Sequence, residues 1–346
     1  MLAARMYGIN DLRVEEVPKP KVGKNEILLK IKAAAICGTD VRMLTAGANG
    51  IDADHPLTLG HEFAGVIDEV GENVTAYQVG MRVVVAPNIG CGTCDMCVSG
   101  NGHLCPDYRA LGVNTDGGFA EYMLIPENAV RSGNVTVLPD NVSFIAGALN
   151  EPFSCALNGS EHCHIQPGDF VLIVGAGVIG LMHAKLAKMA GAGKVVVSDL
   201  VEERLEQCKK IDPDFITVGL VDDAKVKELT GKHGFDVIIT ACPSPAAQKA
   251  AFGQAAVNGR VCFFGGLPKG KEFVELNSNI IHYKQLVVTG TTRASITQYR
   301  KTLGFIANGT VKVDNLATKC APITEIHELF ELAKQAKGLK NVVLFD

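Results

Sequence analysis

The stretch DFVLIVGAGVIGLMHAKLAKMAGA, residues 169–192, constrains this chain more than any other. It opens on an unbroken apolar run, 170–174, of the kind found in a strand buried on both faces. Gly175, Gly177 and Gly180 follow as G-x-G-x-x-G, and apolar residues then recur at helical spacing. A strand that turns through glycines straight into a helix is the context in which this motif carries meaning. Gly175 permits the tight turn, Gly177 lets a pyrophosphate approach the backbone, and Gly180 allows close packing of helix on strand. Val178 and Ile179 stand at the helix start, where free N–H groups and the positive dipole end face the phosphates.

The alternation continues. Residues 194–199 read as a strand, 201–211 as a helix, 235–241 as a strand, 244–257 as a helix, and 259–266 and 285–290 as strands. Strands alternating with helices imply a parallel, doubly wound α/β sheet. The second strand ends at Asp199, about twenty residues past the glycines, where a dinucleotide-binding motif expects an acid for the ribose hydroxyls. An acid there repels a 2′-phosphate, so NAD is expected over NADP. Arg204 stands within reach of the same place, but is expected on a solvated helix face, paired with a nearby Glu.

The first 150 residues have another texture. Short alternating stretches such as 26–36, 62–71, 81–88 and 119–126 are bounded by Gly, Pro, Asn and Asp, and read as an all-β, barrel-like domain. After residue 290 come two helical stretches and a last strand, NVVLF. A length of 346 residues suits two such domains. A net charge of −4 with pI near 6.2 gives no basic surface for nucleic acid or an anionic membrane. No apolar run is long enough to span a bilayer, and the N-terminus has no signal-peptide pattern, so a cytoplasmic protein is expected.

In that compartment thiols stay reduced, so the eleven cysteines are not expected to form disulfides. Four of them, Cys91, Cys94, Cys97 and Cys105, fall within CGTCDMCVSGNGHLC. Four thiolates at this spacing suit a closed tetrahedral shell around a structural Zn²⁺. His103 lies in the loop but is not needed for the shell. The loop carries no Lys or Arg, unlike a nucleic-acid-binding zinc ribbon.

Three further pieces are ICGTD with Cys37, Thr39 and Asp40, LGHEFAG with His61 and Glu62, and NEPFSCALNG with Glu151. One Cys, one His and one or two Glu make a mixed set suited to zinc with an open coordination position. Separately each is weak. Together with the cysteine lobe, DGGFAEY and GAGVIG, in that order along the chain, they resemble the zinc-dependent medium-chain dehydrogenases. The polyol branch of sorbitol and iditol dehydrogenases is nearest, with L-threonine dehydrogenase close.

That resemblance implies a Rossmann domain over 154–289 and a GroES-like β-barrel catalytic domain over 1–153 and 290–346, with the structural zinc lobe at 88–106. It implies two Zn²⁺ per chain and NAD⁺/NADH, a polyol or ketose as substrate, and a homodimer or homotetramer. Cys37 and His61 are then permanent ligands of a catalytic zinc, Glu62 a third ligand, and Glu151 a second acid that takes a place on the metal directly or through water. Asp40 would hold His61, and Thr39 would bond the substrate hydroxyl and begin a proton relay. Arg293 falls where relatives often carry an arginine near cofactor or substrate. Many relatives have His where this chain has Arg42, and an arginine relays no proton but suits an anionic group. The rival readings are an L-threonine 3-dehydrogenase-like or other secondary alcohol dehydrogenase, a zinc-free quinone or enone reductase, and an NAD(H)-binding scaffold without catalysis.

Overall fold

The computed structural model describes residues 1–231 and 233–346. The chain divides into two compact units, Met1–Ser154 with Ala294–Asp346, and Cys155–Arg293. Among the described residues none of the eleven cysteines is in a disulfide. No helix there is long and apolar enough to cross a membrane.

In the second unit the strand Phe170–Val174 is buried at its three central positions, as its unbroken apolar run requires. It pairs in parallel with Lys194–Ser198 on one side and Phe235–Thr240 on the other. Ile216–Val218 extends one edge; Ala255–Phe263 and then Val287–Gly290 extend the other, giving a six-stranded parallel sheet. Leu172, Val196, Phe235, Ile238, Phe252 and Val261 fill one side of it. The helix read over 244–257 stops at Gln254. Ala255 pairs instead with Phe235, and the strand continues to Phe263 past Asn258 in a left-handed conformation, φ +62°. Alanine's helical preference is a fraction of a kcal/mol, too little to resist a place in a sheet.

The first unit is built on the strand Ile27–Ala35, whose residues are mostly buried. This strand pairs antiparallel with Glu62–Val70, with Lys340–Leu344 and with Tyr122–Ile125. The same sheet takes in Arg82–Val85, Val135–Val137 and Ala317–Pro322, the last parallel to Lys340–Leu344. A three-stranded sheet of Asp11–Glu16, Leu2–Gly8 and Leu57–Thr58 stands apart from it in pairing. The central strand lacks a strict alternation of apolar and polar residues because both of its faces are covered. Leu29, Ile31, Phe63, Phe119, Phe330 and Val343 belong to one continuous core.

Register at one end of this strand matters most for function. Ala35 faces Glu62 across one neighbour and Val342 across the other. Cys37 follows two residues on, and Ile36 N–H donates to the Asn341 carbonyl at 2.9 Å. Three strands distant in sequence therefore end at one place.

One long helix, Phe144–His162, was not foreseen, and Pro152 lies inside it. Its polar residues Asn150, Ser154 and Asn158 are buried, which hides the helical period in the sequence. Each has a partner: Asn150 Nδ2 donates to the Tyr299 carbonyl at 2.9 Å, Ser154 Oγ to the Glu151 carbonyl at 2.6 Å, and Asn158 Nδ2 to the Arg293 carbonyl at 2.9 Å.

Candidate functional site: two metal centres and a nucleotide-binding turn

Cys37 lies two residues past the central strand and caps the helix Gly38–Ala46. The helix turns there because Cys37 N–H donates to Asp40 Oδ2 at 2.8 Å while the Cys37 side chain receives the Asp40 backbone N–H. His61 and Glu62 begin the neighbouring strand, 7% and 0% exposed. The ligand atoms of Cys37, His61 and Glu62 lie within 4.8 Å of one another.

The group is buttressed from behind. Asp40, wholly buried, sets Oδ1 3.3 Å from His61 Nδ1. This leaves the other ring nitrogen to a metal, with the tautomer fixed by the carboxylate. Burial works against a charge on the His61 ring, but its electrostatic and hydrogen-bonding partners Asp40 and Cys37 outweigh it and hold its pKa well above the usual histidine value.

Sequence reasoning missed Lys340. Its ammonium lies 2.6 Å from each oxygen of Glu62, with the side chains 4% and 0% exposed. Burial disfavours the lysine charge, yet Glu62, Cys37 and Asp40 keep its pKa above the ordinary value. The only signal in sequence is its place two residues before Val342, and the register with Ala35 becomes visible only once the sheet is formed.

The thiolate, imidazole and carboxylate donors, gathered this closely, fit a zinc ion with a position left for substrate. Glu151 is buried on the long helix, 7% exposed, and stands outside the group of three. Thr39 is half-buried at the helix start, and its hydroxyl accepts from Arg42 at 3.1 Å.

The second group is the lobe. Cys91, Cys94, Cys97 and Cys105 gather their sulfurs within 4.8 Å. Cys94 and Cys105 sulfurs stand 3.7 Å apart, and those of Cys91 and Cys97 4.0 Å. A tetrahedron with Zn–S bonds of about 2.3 Å has edges of about 3.8 Å, so the cage has the size of a zinc shell. His103 is buried beside it and is not one of the group.

In the other unit Gly175 has φ +113°, and a Cβ at Gly180 would collide with the Gly175 carbonyl oxygen. Turn and helix therefore touch with nothing between them. Gly177 caps the helix Val178–Met189, and a Cβ there would enter open space, the opening that a pyrophosphate requires. Ile179 and the buried Gly180 continue the first turn. Asp199 is tied to the turn, accepting from Ala176 N–H at 2.8 Å and Val201 N–H at 3.0 Å.

Arg204 stands 3.6 Å from Asp199, an acid outside its own helix, within reach of the same place. Arg293 is half-buried with φ +58° at the end of this unit.

Comparison with known proteins agrees with these features. Residues 23–135 match the family described as alcohol dehydrogenase GroES-like domain, and residues 178–308 the family described as zinc-binding dehydrogenase. A sorbitol dehydrogenase of Bacillus subtilis is 34% identical over 342 residues, covering 98% of this chain and 95% of the relative. An L-threonine 3-dehydrogenase of Bacillus licheniformis is 34% identical over 334 residues, covering 95% and 94%. Among solved structures, a zinc-binding dehydrogenase of Sinorhizobium meliloti bound to NADP superposes with a TM-score of 0.89 at 30% identity, covering 99% of each chain.

Proposed function

The chain belongs to the zinc-dependent medium-chain dehydrogenases, in their polyol branch, and from that premise we propose that it oxidises a secondary alcohol of a polyol to a ketose with NAD⁺, and catalyses the reverse. The observation that carries this reading is the close grouping of Cys37, His61 and Glu62, backed by Asp40 and Lys340.

Zinc in this group supplies a Lewis acid that brings the pKa of an alcohol hydroxyl toward neutrality, and the nicotinamide ring supplies a hydride acceptor. The chain's own residues do the rest. Cys37, His61 and Glu62 hold the metal. Asp40 keeps the His61 ring in one orientation and one tautomer. Lys340 offsets the Glu62 charge, so that a second anion beside Cys37 is tolerated in a dry site. Glu151 would be a second acid able to take a place on the metal, directly or through water.

Thr39 accepts a hydrogen bond from the substrate hydroxyl and, as that proton moves to it, passes its own proton outward. Arg42 stays charged and does not carry that proton further, so the relay leaves by way of cofactor ribose or water. The turn at Gly175–Gly180 would hold the pyrophosphate of the dinucleotide, a positioning effect. Asp199 accepts the ribose hydroxyls and disfavours a 2′-phosphate, which supports NAD; Arg204 at 3.6 Å tempers that charge. Arg293 is assigned to the cofactor or substrate side of the same chemistry.

The four-cysteine lobe carries the second zinc. Its shell is complete, so it stiffens the loop and takes no part in the reaction. Self-association into a dimer or tetramer is part of the proposal: the edge strand Val287–Gly290 has a free edge and leaves Val287 52% and Val288 38% exposed, a surface that a second copy would cover.

Replacing Cys37 by Ser tests the reading. Turnover of polyols should fall by more than about a thousandfold, while circular dichroism and NADH binding, followed by fluorescence, stay as in the parent. Retained turnover refutes the catalytic-zinc assignment.

A further inference from the structure

The mechanism leaves Arg42 without work, although it stands beside a residue that has some. Arg42 is exposed on the helix Gly38–Ala46, and its guanidinium donates to Thr39 Oγ1 at 3.1 Å. Among the described residues no carboxylate forms an ion pair with it. The nearest acid in sequence, Asp40, is turned the other way, wholly buried against Cys37 and His61. The charge at Arg42 is therefore not neutralised by its own helix.

A guanidinium presents five N–H donors in a rigid fork, of which Thr39 takes one. A threonine hydroxyl that accepts one such bond keeps its own proton and a second lone pair. Thr39 can thus hold Arg42 and meet a substrate oxygen together. Two hydrogen bonds in series, about 3 Å each, bring the guanidinium within about 6 Å of the reacting carbinol oxygen. A group attached a few carbons away on the same substrate spans that distance. A neutral hydroxyl there gains an ordinary hydrogen bond; a phosphate or carboxylate gains a charge-assisted, bidentate one.

We propose that Arg42 determines specificity by binding an anionic oxyacid group, a phosphate ester or a carboxylate, carried by the substrate a few carbons from the alcohol being oxidised. The inference rests on the reading that Thr39 meets the substrate hydroxyl. It narrows the substrate class from polyols in general to polyol phosphates or sugar acids.

Steady-state kinetics of the zinc-loaded protein with NAD⁺ test it, using a neutral hexitol, its 1-phosphate and the sugar acid of the same chain. A charge-assisted pair in a partly exposed place corresponds to roughly 10- to 100-fold in affinity. The parent should prefer one anionic form over the neutral hexitol by about that factor in kcat/KM. The arm that carries the preference identifies the oxyacid. Arg42→Gln should remove the preference mainly through KM, and Arg42→Lys should restore part of it, with zinc content unaltered in both. Inorganic phosphate should inhibit the parent competitively, and Arg42→Gln roughly tenfold less well.

Equal kcat/KM for neutral and anionic forms, or a preference unchanged in Arg42→Gln, overturns the role of Arg42 and leaves the zinc dehydrogenase intact. No turnover of any secondary alcohol by zinc-replete protein fails the wider reading, and this inference with it.

Discussion

The two ligand groups are built in opposite ways. The lobe draws four sulfurs from residues 91–105, on a loop whose residues are largely exposed. The other group draws one sulfur, one nitrogen and one oxygen from two strand ends, in a buried place, and leans on Asp40 and on Lys340 from a third strand. A closed shell of identical thiolates needs only a short chain that can fold around an ion. On the proposed reading this group leaves a position for substrate, so fewer bonds would hold its geometry. The buried Lys340–Glu62 pair and the Asp40–His61 contact then brace it.

This contrast predicts where each group fails. The largest effect on stability is expected at the lobe. Cys94→Ser with Cys97→Ser should reduce zinc from two ions to one per chain, by metal analysis. Structural zinc in small domains contributes on the order of 10 kcal/mol, so urea unfolding of that unit should shift by about 5 kcal/mol or more. Chemistry should be lost only as the fold loosens. Loss of turnover with an unchanged unfolding midpoint breaks the division of labour.

Next in size is Lys340→Met. It strands the buried Glu62 carboxylate, and a buried pair broken from one side costs about 3–5 kcal/mol. Unfolding of zinc-free protein should show that loss. Adding Glu62→Gln should recover part of it, because the uncompensated charge is gone. Strictly additive effects contradict a direct pair.

The smallest effect sharpens the comparison through two buried histidines. His61 is surrounded by anions, whereas His183 in the nucleotide-binding unit meets the Ser160 hydroxyl, at 3.0 Å, and the edge of Phe264. Burial pushes His183 down to about 3. Its folded pKa lies below the unfolded value near 6.5, so the unfolded chain binds the extra proton. The stability that goes with a neutral His183 is complete above pH 6.5 and is lost as pH falls toward 3, at up to about 1.4 kcal/mol per pH unit. Between pH 6.5 and 5 the parent should lose roughly 2 kcal/mol more than His183→Asn, measured by urea midpoints. Parallel losses in the two proteins exclude a neutral buried ring.

Much of this was legible from the residues. The parallel sheet followed from apolar runs alternating with helical spacing, since a strand buried on both faces leaves no polar positions. The cysteine lobe followed from spacing, since its ligands are neighbours along the chain. Less visible were features set by contacts between distant segments. The helix Phe144–His162 was hidden by Pro152 and by buried polar side chains whose partners, such as Tyr299 and Arg293, lie far along the chain. The helical reading of 255–257 gave way to pairing with Phe235.

By itself the sequence determined what is local: the glycine turn, the acid that follows it, and the grouping of four cysteine sulfurs. These depend on backbone freedom and on spacings of a few residues. Tertiary structure alone decided that Lys340 faces Glu62, that Asp40 lies against His61, and that Arg42 stands beside Thr39 with no carboxylate paired to it among the described residues. Those outcomes depend on strand register and on burial, which turn weak interactions in water into strong ones in a dry site, and neither exists before the chain has folded.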